Sequence, residues 1–285
     1  MIITFLGTAA ANAFPEAFCR CQNCEQARRL GGASLRKRSA ALINDDLLID
    51  LGPDIMTASQ MHGCSLTNVA YCLQTHPHAD HLDLAHLLSR SLEYGTLGTP
   101  CLHFYASQQT LQCGAQTFER DLEGYALLSL EAERRLNIRV HPIEPFELFG
   151  FGRYRVVAFP ANHDLGKGCM LYAVAAEGRS IFYATDTAAL PETTWQAFHT
   201  HHMRFDVVVL DHTYGPHQTG GGDHLSAHEV SAHVARMRSE GLLTDDARAF
   251  ATHIAHEGNP AHPELEAFAK PHGYEIAFDG LVLDI

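Results

Sequence analysis

The chain has 285 residues, of which 46% are hydrophobic and 19% charged, with a formal charge of −13. That is the composition of a folded protein with ample material for a core. So acidic a chain is a poor surface for long nucleic acids, whose phosphates call for Lys and Arg, although it leaves room for a small anion held by metal ions.

In chain order, residues 1–6 read as a first strand, followed by a Gly/Ala-rich turn, a cysteine loop and a short helix at 24–30. Segments 39–44 and 47–50 flank Asp45-Asp46 as a hairpin, and 54–61 reads as a helix. An apolar run makes 69–75 a buried strand, and 82–92 has helical apolar spacing. Residues 102–136 combine one short strand with helical patches rich in Gln, Glu and Leu. Strands are expected at 138–141, 154–160, 170–175 and 180–185, then a helix at 191–199 and a strand at 205–211. A Gly-rich loop at 215–222 leads into a helix at 226–238; a strand at 247–252, a helix at 263–269 and two short strands follow. No Pro/Ser linker, charge block or long repeat divides the chain, so the expectation is one layered α/β (α+β) domain over residues 1–285.

The densest signal is Thr75-His76-Pro77-His78-Ala79-Asp80-His81, an H-x-H-x-D-H pattern on the loop leaving the strand at 69–75. Imidazoles with a carboxylate suit zinc, manganese or iron, and one ion cannot easily take four ligands from so short a loop. Two metals are the natural reading. They need further ligands, and three downstream strand ends offer them: His163 in Asn162-His163-Asp164, Asp186 after Ala184-Thr185, and His253 after Ala251-Thr252. Singly, each is the kind of residue that ends a strand in a turn. Their agreement in position is the signal.

The eight cysteines do not look like a disulfide framework. Cys19, Cys21 and Cys24 form a C-x-C-x2-C cluster, while Cys64, Cys72, Cys101, Cys113 and Cys169 are scattered. No Lys or Arg precedes the short apolar run at 2–6, and no stretch nears the roughly 18 apolar residues of a membrane span. A cytoplasmic protein is therefore expected, with the cluster as thiolate metal ligands and the single cysteines in the core. A redox or merely buried cysteine loop is the alternative.

With these residues in place, the chain resembles the metallo-β-lactamase superfamily from Phe5-Leu6-Gly7-Thr8 to its C-terminus. Ile49-Asp50-Leu51-Gly52 matches that family's early I-D-x-G step, whose Asp lies behind the metals. The resemblance implies an αββα sandwich with two zinc or manganese ions at one edge. His76, His78 and His163 would hold one, Asp80, His81 and His253 the other, and Asp186 would bridge them. Within the superfamily, the cysteine cluster and Thr252-His253-Ile254-Ala255-His256 are most similar to the PhnP-type cyclic phosphodiesterases. Those carry a separate structural zinc, and the matching positions are Cys19, Cys21, Cys24 and His256; three thiolates and one imidazole do make a closed tetrahedral site. Asp223-His224-Leu225-Ser226 matches the place of an active-site His outside the main ligand set, so His224 would assist a departing alkoxide. An exposed residue before a helix N-cap is the other reading.

The implied activity is hydrolysis of a small, cyclic phosphodiester by a hydroxide held between two ions, with Asp80 orienting it. Related sites serve lactonases, thioesterases, tRNase Z-type RNA phosphodiesterases and non-catalytic ligand carriers of cofactor biosynthesis; the charge of −13 disfavours RNA. The stretch between His81 and His163 is longer than the PhnP pattern, with helical material near 107–135 expected to border the substrate mouth. Thr213-Tyr214-Gly215-Pro216 also departs from that pattern, which leaves the substrate open. Asp211, His212, His217 and His228 read as structural, and Asp211 or His212 could stand behind the site. His199, His201 and His202 read as solvated histidines at a helix end rather than a third metal site. A small anionic substrate and no membrane partner are expected; a homodimer is left open.

Overall fold

The segment Phe205–Asp211 is buried at all seven positions, as a strand covered on both faces must be. It lies inside a two-sheet sandwich. The computed structural model describes residues 1–121, 126–216 and 222–285. The first sheet takes β1 (Ile2–Gly7), β2 (Ala40–Ile43), β3 (Leu47–Ile49), β4 (Tyr71–Leu73), β5 (Leu102–Ser107) and β6 (Ile138–Ile143), in that order. The second takes β7 (Leu148–Phe151), β8 (Tyr154–Pro160), β9 (Met170–Ala176), β10 (Arg179–Ala184), β11 (Phe205–Asp211), β12 (Leu243–Thr252) and β13 (Glu275–Ile276), also in sequence order. The last strand, β14 (Val282–Asp284), returns to pair antiparallel with β1.

Three apolar layers hold this arrangement. Ile3, Phe5 and Ile49 of one sheet face Tyr172, Val207, Val209 and Phe250 of the other. The alternate residues point outward and need helices to cover them. On the first sheet, Leu42, Leu48 and Phe104 pack with α2 (Ile55–His62), α3 (Gln108–Asp121) and α4 (Leu130–Leu136). On the second, Phe159, Phe182, Val208 and Leu210 meet α1 (Gln22–Leu30), α5 (Glu192–Thr200), α6 (Ala227–Ser239) and α7 (His262–Ala269). The expected αββα sandwich is what the chain forms.

Strand direction sets where chemistry can sit. β8, β10, β11 and β12 run the same way, as do β3 and β4. Their C-terminal ends open on a common edge, where Met170 N donates to Thr75 O at 2.8 Å and ties the two sheets together.

Some elements differ from expectation. The strand expected at 69–75 is only Tyr71–Leu73, because Gln74 and Thr75 turn polar side chains into the network behind the metal loop. In place of a helix at 82–92 stands a 3-10 segment, Leu84–Arg90, with Asp83 accepting from Ala85 N. β7 escaped notice because Leu-Phe-Gly-Phe lacks polar alternation; it pairs with β8 across a turn containing Gly152.

Two buried histidines give a pH-dependent stability. His212 sits between Asn259 Oδ1 and Tyr274 OH, both at 2.9 Å, and His262 Nδ1 lies 2.9 Å from Arg36. Burial pushes both down to about 4, and nearby Arg36 adds to the effect at His262. Each takes up a proton on unfolding between that value and the ordinary value near 6.5. Their contribution is complete above about pH 6.5 and is lost as pH falls toward 4. The melting temperature is expected to fall from pH 7 to pH 5, with a shallower fall in His262→Gln. A slope unchanged by that substitution would contradict the assignment.

Candidate metal centre and active site

Each side chain at the open edge is delivered by a strand exit. Asp50 follows β3, His76 follows β4 by three residues, His163 follows β8 by three, Asp186 follows β10 by two, and His253 follows β12 directly. Asp50, Asp186 and His253 leave their strands at φ of 67°, 53° and 59°. Left-handed backbone costs non-glycine residues roughly 1–2 kcal/mol, so the turns are held by what the side chains bind. Gly52 explains the I-D-x-G step: a Cβ there would come 2.8 Å from Asp80 O, so only glycine lets the metal loop pack this close.

Two nests of ligand atoms lie side by side. In one, His163 Nε2 faces His78 Nδ1 at 3.3 Å, and the His76 ring lies 4.6 Å from that of His78 and 5.2 Å from that of His163. In the other, His81 Nε2 meets His253 Nε2 at 3.3 Å and Asp80 Oδ2 at 3.2 Å. Asp186 reaches both. Its Oδ2 is 3.0 Å from His81 Nε2 and 3.2 Å from His253 Nε2, while Oδ1 is 3.8 Å from His163 Nε2. His76, His78 and His163 form one group able to hold an ion, and Asp80, His81 and His253 another.

The outward nitrogen of every imidazole has an acceptor. His76 Nδ1 donates to Thr75 Oγ1 at 3.0 Å, His81 Nδ1 to Asp50 Oδ2 at 2.6 Å, and His163 Nδ1 to Asp223 O at 3.1 Å. His253 Nδ1 donates to Thr213 Oγ1 at 2.8 Å and His78 Nε2 to Asp164 Oδ2 at 3.2 Å. Each ring is thereby fixed in the tautomer that turns a lone pair inward. His76 Nε2 is the telling atom: it is buried and has no hydrogen-bond partner, a costly state for a ring nitrogen unless a cation takes its lone pair.

Electrostatics agree. Burial opposes charge on His81, but Asp186, Asp80 and Asp50 hold its proton affinity well above the ordinary value; a divalent cation answers the same three carboxylates. Burial likewise works against ionised Asp80 and Asp186, yet the surrounding imidazoles hold both far below the usual carboxylate range. The residues therefore fit divalent metals.

Asp211, at the end of β11, ties the site together from behind. It accepts from Asp186 N at 3.0 Å, Leu225 N at 3.1 Å and His224 Nδ1 at 2.8 Å, while Thr213 Oγ1 links it to His253. Burial lowers the proton affinity of His224, but Asp211 outweighs it and raises the group to about 9. The His224 ring stacks 5.4 Å from that of His253 and lines a cavity of about 400 Å3 together with His78, Asp80, His163 and Asp186.

The sequence pattern of the beta-lactamase superfamily domain matches residues 46–254. The chain belongs to the metallo-β-lactamase superfamily. Membership and the clustered His and Asp side chains put it among the metal-dependent hydrolases. Its structure is similar to a diphosphatase from the PhnP family, with a TM-score of 0.74 and 21% identity over 99% of this chain and 96% of that one. It is also similar to zinc-bound PqqB from Methylobacterium extorquens, with a TM-score of 0.71 and 19% identity over 100% of both chains. Human tRNase Z, short form, gives 0.64 and 16% over 100% of this chain and 99% of that one. No curated protein sequence matches the chain.

The superfamily pattern stops before the cysteine partner at 256, and the N-terminal cysteines precede it, but the fold joins them. The Sγ atoms of Cys19, Cys21 and Cys24 and a His256 nitrogen lie within 4.8 Å of one another, and all three thiols are free. Against the effect of burial, the N–H of Cys24 and the His256 ring draw Cys21 down to about 7. Burial and the neighbouring thiol push Cys24 up to about 12. One deprotonated thiol among others is a ready zinc ligand. Residues 10–13, upstream of this cluster, and Ala255–Glu257 both line the cavity mouth.

Other expected residues fall elsewhere. His199, in the last turn of α5, binds Glu240 at 2.7 Å, as a histidine at a helix end can. His228 packs on Phe268, and His217 lies outside the described residues. Of 107–135, residues 122–125 are likewise outside them; α3 and α4 pack on the first sheet, and none of the described residues there lines the cavity. Thr110 Oγ1 donates to Lys167 O on the loop after His163.

Sequence reasoning missed Gln74. It is fully buried; Nε2 contacts Asp50 Oδ1 at 3.0 Å, His76 O at 3.0 Å and His81 O at 2.9 Å, and Oε1 accepts from Leu51 N at 3.1 Å. One amide thus spans both ends of the metal loop. A glutamine at a strand end carries no pattern that announces this. Gln74→Leu is expected to weaken metal affinity about 10- to 100-fold, the usual effect of losing a residue that orients ligands. Calorimetric metal titration checks it; unchanged affinity would confine Gln74 to folding.

Proposed function

We propose that the protein is a metal-dependent phosphodiesterase acting on a small, cyclic phosphodiester. The observation that carries this reading is the pair of nests joined by the two oxygens of Asp186, with His224 across the same cavity. A diphosphatase and a tRNase among the structural relatives point the same way. Divalent ions held by His76, His78 and His163 and by Asp80, His81 and His253 would supply charge neutralisation at the phosphoryl oxygens and hydroxide at neutral pH.

The chain's own groups do the rest. Asp80 turns Oδ2 toward His81 and His253 and lines the cavity, where its carboxylate can accept a hydrogen bond from the attacking water and fix its direction. Asp211 occupies His224 Nδ1, so Nε2 is the nitrogen available to hand a proton to the departing oxygen. Asp186 N–H on Asp211, and the five imidazole tethers, keep these groups in place before substrate arrives. A chain of charge −13 has little to offer a long RNA, which favours a small substrate over a tRNase-like one.

The test is hydrolysis of a small cyclic phosphodiester beside a lactone and a thioester, with metal-loaded protein and Asp80→Ala. Turnover of the phosphodiester alone, abolished in Asp80→Ala, is the expected result. Turnover of only the lactone or thioester would overturn the phosphodiester assignment, and tight binding without turnover would point to a carrier.

A further inference from the structure

The cavity over the two nests is lined by histidines, Asp80, Asp186, Thr213, Tyr214, the small residues of the 10–13 turn, and Ala255–Glu257. Among the described residues, no Lys or Arg lines it. Residues 217–221, outside the described structure, contain no Lys or Arg either. Arg38, which lies close enough to act on Asp80, is committed to Asp54, with Nε and Nη2 each 2.7 Å from its carboxylate.

The rim is acidic instead. Glu257 stands at the mouth, half exposed, with Oε1 3.1 Å from His256 Nε2. Asp164 is exposed beside His78, and Asp223 is exposed and accepts from Tyr214 OH. Among the described residues, the positive charge this pocket can present is that of ions in the nests and of His224, which the phosphodiesterase reading assigns to the departing oxygen, and the reacting diester takes both up. A further phosphate on the substrate would lie against carboxylates with nothing to pair it, and like charge at close range disfavours the wrong ligand. Asn12, Tyr214 and Glu257 offer hydrogen bonds suited to hydroxyl groups.

Building on the phosphodiesterase reading, we propose that the site selects cyclic phosphodiesters whose only negative charge is the diester itself, on an uncharged, hydroxyl-bearing body, and rejects those carrying a further phosphate. The matched pair that tests this is ribose cyclic phosphate with a free 5-hydroxyl and the same compound with a 5-phosphate. With metal-loaded protein, kcat/KM for the 5-hydroxyl compound is expected to exceed that of the 5-phosphate by about 10-fold or more, the effect of ~1.4 kcal/mol of repulsion. Added salt should narrow the gap by screening. Asn12→Arg, at an exposed position of the mouth, should narrow it further by about 10-fold. Equal or preferred use of the 5-phosphate, or a preference that neither salt nor Asn12→Arg shifts, overturns the proposal while leaving the phosphodiesterase reading intact. If neither compound turns over with both nests loaded, the phosphodiesterase reading falls and takes the proposal with it.

Discussion

Asp186→Ala is expected to bind fewer divalent ions per chain than the parent protein and to lose turnover by more than the about 10²- to 10³-fold that one lost transition-state hydrogen bond costs. The reason is that its two oxygens face different nests. Oδ2 lies near His81 and His253, and Oδ1 faces His163. With an ion in each nest, removing the carboxylate would take a ligand from both at once, whereas losing His78 or His253 would take one from a single ion. Among the described residues, it also leaves His81 with Asp80 and Asp50 as its near carboxylates. Metal content after gel filtration, measured by mass spectrometry, reads the first effect. Melting temperature reads the second: added metal should raise it in the parent and much less in the variant, since a ligand stabilises only as far as it binds. A variant that keeps full metal content would show that Asp186 bridges nothing.

Cys24→Ser should cost stability where Asp186→Ala costs chemistry. Cys24 is buried in α1 and belongs to the group with Cys19, Cys21 and His256, which joins an N-terminal loop to the segment after β12. A structural zinc contributes roughly 10–16 kcal/mol of apparent binding energy in small zinc-dependent peptides. Even a third of that is a large share of the stability of a folded domain. The melting temperature should drop by about 10 °C or more, as 1 kcal/mol moves a chain of 150–250 residues by about 2–4 °C. A zinc-specific chelator should reproduce the drop in the parent and add little in the variant. Because the 10–13 turn and Ala255–Glu257 line the mouth, KM should rise in the surviving folded fraction. Unchanged melting and unchanged zinc content would leave the cluster as ordinary core cysteines.

What could be read without the structure follows from spacing. His76, His78, Asp80 and His81 stand within six positions, and His163, Asp186 and His253 each follow an apolar strand, so both periodicity and chemistry mark them. The layered fold was legible for the same reason, since long apolar strands such as Phe205–Asp211 permit only a covered sheet. Other features depend on contacts between distant segments. Gln74, Thr213 and Asp164 act by holding a neighbour's nitrogen or carbonyl, and nothing in their local sequence says which partner the fold will bring. The short strand Leu148–Phe151 was hidden by its glycine, and the 3-10 segment Leu84–Arg90 carries the apolar spacing of an α-helix without its hydrogen bonds.

The candidate ligands come from both halves of the sandwich: His76, His78, Asp80 and His81 leave the first sheet, and His163, Asp186 and His253 leave the second. Ions bound between them would act as bolts through two plates, clamped along one margin only. The opposite margin, where the strands begin, is closed by apolar packing and by the contacts of Tyr154 and Arg153 with Asn44 and Asp46, and does not depend on the ions. Stripping the ions should therefore let the plates part from the clamped margin first. Backbone amides near Thr75, Thr185 and Thr252 would exchange with solvent well before those near Ile3 or Val207.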